Sequence, residues 1–164
     1  MAEQRTVTVG IGEVFVTRDI SLVLVGYGLG SCIGVAAYDP TIKGGGIAHI
    51  MLPNSKEASS SISGCRFADI AVPTLVQELS KLGASPANIE CKIVGGAQML
   101  TAPGHEDSFK IGQRNIKAVR EILLQYGIVP KAADTGGTQG RTLRLFIDSG
   151  RVFVRTVGRG DVEL

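Results

Sequence analysis

The sequence has no tryptophan, only 5% aromatic residues and a net charge of +2. Proteins that bind single-stranded nucleic acid combine aromatic stacking platforms with basic grooves, and scattered basic residues with so small a net excess supply neither. We therefore expect no nucleic-acid partner. The sequence also lacks an apolar run of about 18 residues and, near its start, the apolar core of a secretory signal. These absences predict a cytoplasmic protein with no membrane insertion.

Patterns that bind metals or nucleotides are missing as well. The three cysteines (Cys32, Cys65 and Cys91) have no CxxC spacing, and the two histidines are His49 and His105. A zinc site would need unusual help from carboxylates, and in a reducing compartment the cysteines are expected to be free thiols. No Gly-Lys-Ser/Thr triplet occurs, which excludes a P-loop. We expect neither a metal nor a cofactor.

One glycine-rich stretch, GYGLGSCIGV at 26–35, resembles a phosphate-binding loop only superficially. The dinucleotide fingerprint places glycines at i, i+2 and i+5 before a helix. Counted from Gly26 the last position is Ser31, and counted from Gly28 it is Ile33. The residues that follow, CIGVAAY, are typical of a strand. The stretch therefore predicts a tight turn that delivers Cys32 onto a strand.

The hydrophobic pattern predicts an α+β fold in one domain spanning 1–164. Short β-branched runs separated by glycine predict roughly eight strands, and apolar stripes at helical spacing predict helices within 67–83 and 109–127. The order of these elements does not repeat a βαβ unit. We expect mixed sheets with a sandwich-like centre and the two helices packed outside.

A predicted hairpin brings Cys32 and His49 together. DPTI at 39–42 suits a four-residue loop with proline in the second position. In that register Tyr38 opposes Lys43 and Cys32 opposes His49. A slip of two residues would leave the pair as diagonal neighbours on the same face. The small Gly34 and Ala36 on that face would leave room for a substrate.

A cysteine and an imidazole at this separation can act as nucleophile and base in acyl transfer. Glycines around Gly30 and Ser31 would let backbone N–H groups approach the developing oxyanion. An imidazolium beside Cys32 would also lower the pKa of its thiol. Strand cysteines and lone histidines are, however, more often core residues, so these residues alone leave both interpretations open. Cys91 fits a packing role, and His105 falls in a polar loop.

Six blocks in this order, LGSCIGV, GGIAHIMLP, FADIAVPTLVQEL, KIVGGAQML, IGQRN and DTGG, resemble the CheD family. That family comprises the chemoreceptor glutamine deamidases of bacterial and archaeal chemotaxis. The resemblance runs from about Val7 to Gly158. It implies Cys32 as the nucleophile and His49 as its partner, and a fold related to the deamidase domain of cytotoxic necrotizing factor toxins.

The resemblance implies conversion of receptor glutamines to glutamate through a cysteine thioester, and in some members hydrolysis of receptor glutamyl methyl esters. It also implies methyl-accepting chemotaxis receptors as substrates and a CheC-type phosphatase as regulator. One position departs from the family pattern: Gly26 stands where the family has a threonine that orients the histidine. A backbone carbonyl can orient an imidazole equally well.

Two other functions remain open on the sequence. A cysteine peptidase or thioesterase would use the same pair in a cleft for a different carbonyl. A non-catalytic adaptor that binds receptor and phosphatase would need neither residue, and the missing threonine is the feature that favours it. The roles of GGAQM (95–99) and IGQRN (111–115) are also open, although glycine-rich turns before helices are usually structural.

Overall fold

A computed structural model describes residues 3–57, 64–99 and 110–164. In these ranges the strands are β1 (Arg5–Thr8), β2 (Val14–Thr17), β3 (Leu22–Leu29), β4 (Ile33–Asp39), β5 (Gly44–Ile50), β6 (Glu90–Gly95), β7 (Ala132–Thr135), β8 (Arg141–Phe146), β9 (Val152–Thr156) and β10 (Asp161–Glu163). The helices are α1 (Ala68–Lys81) and α2 (Ile111–Gln125), with short 3₁₀ turns at Ser55–Glu57, Gly64–Arg66 and Pro86–Asn88. The α+β prediction is confirmed.

The strands form two mixed five-stranded sheets. Sheet I has the order β1-β3-β8-β9-β10 and sheet II the order β2-β5-β4-β6-β7. The β1/β3 and β6/β7 pairs are parallel and the remaining pairs are antiparallel. All three residues of β10 are exposed, so this strand has no hydrophobic alternation from which the sequence could predict it.

Two apolar layers hold the sheets and helices together. Sheet I packs on one face of sheet II, and the two helices cover the other face. The layer between the sheets includes Leu24, Leu143 and Leu145 from sheet I with Ala36, Ile47 and Val94 from sheet II. The layer under the helices includes Ile33, Ile50 and Ile93 from sheet II with Leu75, Leu79 and Leu123 from the helices. Because β4 and β5 lie between both layers, every residue in these two strands is buried.

Helix α1 follows its apolar stripe. It begins after Phe67, and its buried residues are Ala68, Ala71, Val72, Leu75, Val76 and Leu79. Pro73 lies inside the helix, five residues after its start. A proline costs the helix one hydrogen bond, and the buried stripe offsets this loss because each large buried side chain contributes about 1.5–3 kcal/mol.

The apolar stripe of α2 predicted from the sequence consists of Ile116, Val119, Leu123 and Tyr126. Val119 and Leu123 are fully buried and Ile116 is partly buried, as expected, but Tyr126 follows the last helical residue and is exposed. The stripe continues instead toward the helix start, through Asn115 and Gly112. An apolar stripe search overlooks both positions because neither side chain is hydrophobic.

The start of α2 is in close contact with the segment that follows β6. A Cβ atom on Gly112 would lie 2.5 Å from the Gly96 carbonyl oxygen and 2.7 Å from that of Ala97. The same segment supports the turn before β4, because the Gly96 N–H donates to the Cys32 carbonyl at 2.9 Å and the Ala97 N–H to the Gly30 carbonyl at 2.8 Å. The GGAQM and IGQRN blocks therefore meet behind the glycine-rich turn, in a structural role.

Gly112→Ala should lower the free energy of unfolding by about 1–3 kcal/mol, the usual range for overpacking. Helix propensity alone would favour alanine over glycine by about 1 kcal/mol, so the two effects have opposite signs. Urea unfolding followed by circular dichroism measures the balance. Gly160→Ala, where an added Cβ meets nothing within 4 Å, is the matched control. A stabilised Gly112→Ala variant would contradict the close contact.

Candidate active site

Cys32 lies where the chain passes from sheet I to sheet II. Strand β3 ends at Leu29, the turn Gly30–Cys32 follows, and β4 begins at Ile33. Cys32 as a whole residue is 8% exposed and belongs to the layer between the sheets. The turn predicted from the glycine-rich stretch is thus present, and it connects two sheets rather than two strands of one sheet.

His49 faces the same layer from strand β5, but the hairpin register differs from the prediction. Gly34 opposes His49, and Asp39 opposes Gly44, so the loop is 40–43 instead of 39–42. Asp39 stays in the strand because its carboxylate accepts hydrogen bonds from the Thr41 N–H and hydroxyl and from the Ser85 N–H.

This register makes Cys32 and His49 diagonal neighbours on one face of sheet II. Gly34, the residue opposite His49, lies two positions after Cys32. In regular antiparallel pairs such neighbours have Cα atoms about 7–8 Å apart, within reach of long side chains. The prediction that Cys32 lies directly opposite His49 is therefore wrong. The two residues still share one face of sheet II, because the residue opposite His49 lies two positions after Cys32.

The imidazole orientation of His49 is determined by one hydrogen bond. Its Nδ1 lies 3.0 Å from the carbonyl oxygen of Val9, a buried residue just after β1. A carbonyl only accepts hydrogen bonds, so Nδ1 carries the proton and Nε2 of the neutral ring carries the lone pair. Nε2 is buried and has no hydrogen-bond partner among the described residues.

The backbone around His49 is also fixed. Its N–H donates to the Glu13 carbonyl at 3.0 Å, and its carbonyl accepts from the Gly12 N–H at 2.9 Å. Thus the segment between β1 and β2 holds both the backbone and the ring. Gly26, which occupies the position of the family threonine, pairs with Leu143 in sheet I. Val9 supplies the hydrogen bond to the ring, through a backbone atom that no residue pattern identifies.

Burial favours the neutral form of both candidate groups. It raises the pKa of the Cys32 thiol above its usual range, against a smaller lowering effect from the cysteine's own N–H. Burial likewise lowers the pKa of His49, although the Val9 carbonyl and the Glu13 charge act in the opposite direction. The expected lowering of the thiol pKa is therefore wrong, and both shifts disfavour a thiolate–imidazolium pair at rest. A neutral imidazole is nevertheless the form that accepts a proton.

The space beside this pair is partly filled by the opposite sheet. A Cβ on Gly34 would lie 2.7 Å from Leu143 and 3.0 Å from Leu29. Gly34 therefore allows sheet I to pack closely, and it does not leave the room for a substrate that the sequence suggested.

The backbone N–H groups of the turn differ in whether they already make a hydrogen bond. The Gly30 N–H already donates to the Gly28 carbonyl at 3.0 Å. The N–H groups of Ser31 and Cys32 make no hydrogen bond to any other residue that the structure describes. Of the predicted support residues, Ser31 therefore retains an available N–H donor and Gly30 does not, while the Cys32 N–H is a donor that the sequence analysis did not consider.

Asn115 contacts the turn from α2 and was also missed by the sequence analysis. Its side chain is fully buried, and Nδ2 donates to the carbonyls of Ser31 and Met51 at 2.9 and 3.0 Å. The available signal was its position. Asn115 lies three residues after Gly112 and four before Val119, on the buried side of the helix.

The other cysteines are separate from the pair. Cys91 is buried under the helices, and burial raises the pKa of its thiol to about 12. This supports the packing role expected for it. Cys65 is partly exposed in a 3₁₀ turn. His105 lies outside the described residues. Within the described ranges, no group of three or more His, Cys, Asp or Glu side chains is arranged to hold a metal ion.

These burial effects predict the order of thiol alkylation. At pH 7 iodoacetamide should modify Cys65 first, Cys32 more slowly and Cys91 not at all, as measured by peptide mass spectrometry. Because its thiol pKa is raised, modification of Cys32 should still be accelerating above pH 9. His49→Asn should change the Cys32 rate less than about twofold, since no imidazolium is present to lose. Preferential labelling of Cys32 at pH 6 that disappears in His49→Asn would contradict the neutral pair.

Comparison with known proteins gives a consistent assignment. The family model described as CheD chemotactic sensory transduction matches residues 51–156. A "Probable chemoreceptor glutamine deamidase CheD" from Symbiobacterium thermophilum is 44% identical over 169 residues, covering 100% of both chains. A protein of the same name from Caldanaerobacter subterraneus subsp. tengcongensis is 40% identical over 158 residues, covering 96% of this chain and 97% of the relative.

Among solved structures, the Bacillus licheniformis hypothetical protein YfiH aligns with a TM-score of 0.47 and 18% identity. The alignment covers 82% of this chain and 60% of that one. The family match begins two residues after His49, and the two full-length relatives extend it across the turn that contains Cys32. On this evidence the chain belongs to the CheD family.

Proposed function

We propose that this protein is a chemoreceptor glutamine deamidase in which Cys32 is the nucleophile and His49 the proton carrier. The observation that carries the proposal is the Val9 hydrogen bond. It leaves the lone pair on His49 Nε2, which is buried on the face shared with Cys32 and has no partner among the described residues. Family membership supplies the substrate class, because the full-length relatives are named for this activity.

The geometry supports a neutral-pair mechanism. As the Cys32 sulfur attacks the glutamine Cδ, its proton moves to His49 Nε2 and the carbonyl electrons move to oxygen. The C–N bond then breaks, and the imidazolium gives its proton to the departing ammonia, which leaves a glutamyl thioester. His49 next takes a proton from water, the water oxygen attacks the thioester, and the products are glutamate and the free thiol. A glutamyl methyl ester would pass through the same thioester and release methanol.

The Val9 hydrogen bond also bears on the adaptor alternative, which depended on the missing threonine. With Nδ1 held by a carbonyl, the pair has the orienting group that the threonine provides in the family. This supports catalysis over an adaptor without an active pair. Nothing in the described site specifically favours a peptidase or thioesterase.

The proposal extends to partners and place. Glutamates formed on a receptor add negative charge and thereby shift its signalling state. We propose methyl-accepting chemotaxis receptors as the substrate, a CheC-type phosphatase as regulator and the cytoplasm as the location. Family membership supports these three assignments. In the described part of the chain, no helix has the length and apolar character needed to cross a membrane.

The proposal predicts release of ammonia and a mass increase of about one unit at specific glutamines of a purified receptor cytoplasmic fragment. Cys32→Ala should abolish the conversion. His49→Asn should slow it at least a hundredfold, which is within the usual range for general acid–base catalysis of about 10²–10⁴. Peptide mass spectrometry and an ammonia assay measure both effects.

The outcomes separate the candidate functions. Cleaved receptor peptides without ammonia would indicate a peptidase. Binding with no conversion, and no difference between wild type and Cys32→Ala, would indicate an adaptor. Near-normal conversion by His49→Asn would reject its role as proton carrier.

Receptor and CheC-type phosphatase binding should survive Cys32→Ala within about threefold. The substitution removes one sulfur atom from a turn whose backbone is held by the Gly96 and Ala97 N–H groups and by Asn115. Calorimetric titration of both partners checks this, with thermal unfolding as a control for the fold. Binding that collapses together with activity would indicate that Cys32 acts as a packing residue.

A further inference from the structure

The buried amide of Asn115 joins the two halves of the candidate active site. Ser31, one acceptor of its Nδ2 group, immediately precedes Cys32, and Met51, the other acceptor, lies two residues after His49. Both acceptors are carbonyls, so the nitrogen end of the amide must face them, and its two hydrogens match the two oxygens. One side chain on α2 thereby ties the turn before β4 to the end of β5.

The hydrogen bond from Asn115 to the Ser31 carbonyl also determines the direction of the Cys32 N–H. The Ser31 carbonyl and the Cys32 N–H belong to one peptide unit. In a planar trans peptide these two groups point in opposite directions, and none of the described peptide bonds is cis. Holding the carbonyl toward Asn115 therefore holds the Cys32 N–H away from α2. The Cys32 N–H and the Cys32 sulfur belong to the same residue and are separated only by Cα and Cβ, so this donor lies beside the sulfur.

We propose that Asn115 is a positioning residue that aims the Cys32 N–H at the oxyanion formed when Cys32 attacks a carbonyl. The inference rests on the proposed role of Cys32 as nucleophile. When the sulfur–carbon bond forms, the carbonyl electrons move to the oxygen next to the attacked carbon. A donor beside the sulfur is within reach of that oxygen. Ser31, whose N–H also makes no hydrogen bond to a described residue, is the neighbouring donor in the same turn.

The chemistry of the amide itself argues against a simple packing role. Asn115 Oδ1 is buried and has no hydrogen-bond partner in the part of the chain that the structure describes. An unpaired buried acceptor destabilises a fold. The Nδ2 donor is what the amide adds.

The fixed donor matters more here because the resting pair is neutral. In a thiolate–imidazolium pair the nucleophile is formed in advance, whereas a neutral pair separates charge during the attack itself. Removing one oxyanion donor typically slows catalysis by about 10²–10³-fold. If the donor remains but points in a different direction, the rate should fall by less than this.

Two reagents that both require the Cys32 thiolate test the proposal without a receptor. p-Nitrophenyl acetate acylates the sulfur through an oxyanion and releases p-nitrophenolate. Iodoacetamide alkylates it by displacing iodide, with no oxyanion. Both rates would be measured at one pH in a Cys65→Ser background, with the signal of the Cys32→Ala version subtracted. The ratio of acylation to alkylation cancels changes in thiol pKa and accessibility that affect both reactions.

Asn115→Leu should lower this ratio at least tenfold while the alkylation rate changes less than about twofold. Asn115→Ser, which retains one hydroxyl donor, should lie between Asn115→Leu and wild type, and it also serves if the leucine variant does not fold. Val119→Ala is the matched control, because it creates a cavity one turn along the same side of α2 without touching the Ser31 carbonyl. Its ratio should equal that of wild type.

An unchanged ratio in folded Asn115 variants, or a parallel fall of both rates, would overturn the proposal. The first result would mean that the amide does not aim the donor, and the second that Asn115 only supports the fold. A lowered ratio together with failure of wild type to deamidate receptors would leave Asn115 as the positioning residue and reject the receptor assignment. The two proposals therefore fail separately.

Discussion

The candidate active site depends on the apolar layer between the two sheets. Cys32 and His49 both project into this layer from sheet II, and its low polarity favours their uncharged forms. Because the ring is buried, the Val9 carbonyl determines which ring nitrogen of His49 carries the proton. A buried ring nitrogen cannot bond to water, so His49 Nδ1 donates its hydrogen to the Val9 carbonyl. This hydrogen bond selects the tautomer whose Nε2 can accept a proton. The apolar layer that packs the two sheets together thus also determines the protonation of the pair.

The site also lies where the chain crosses between the sheets. The segment from β1 to β2 contains Val9 and Glu13, and the segment from β3 to β4 contains Cys32. Such crossings leave backbone groups outside the ladders, and these groups must be paired in other ways. Here they bond to His49, to the segment after β6 and to Asn115. The irregular backbone that the two sheets require therefore supplies the contacts that position both candidate residues.

Most of the fold and part of the site follow from the sequence alone. Periodicity predicts both helices, and the glycine-rich stretch predicts the turn before β4, because these features depend on neighbouring residues. The hairpin register did not follow from the turn pattern, since Asp39 remains in the strand through a hydrogen bond to distant Ser85. The Val9 contact could not be predicted, because every residue has a carbonyl. Asn115 could be recognised only as a polar residue at a buried helical position.

The neutral resting pair changes what the surrounding residues must do. When a thiol and an imidazole are uncharged, the transition state gains a positive charge on the ring and a negative charge on the substrate oxygen, inside a layer that stabilises neither. The Val9 carbonyl faces the first charge, and the N–H groups of the turn can face the second. Both are backbone dipoles fixed before the substrate arrives, and such preorganised groups need no reorganisation during the reaction. Burial disfavours the ion pair at rest. It is nevertheless compatible with catalysis, because the same low polarity strengthens the interaction of each dipole with the charge that forms.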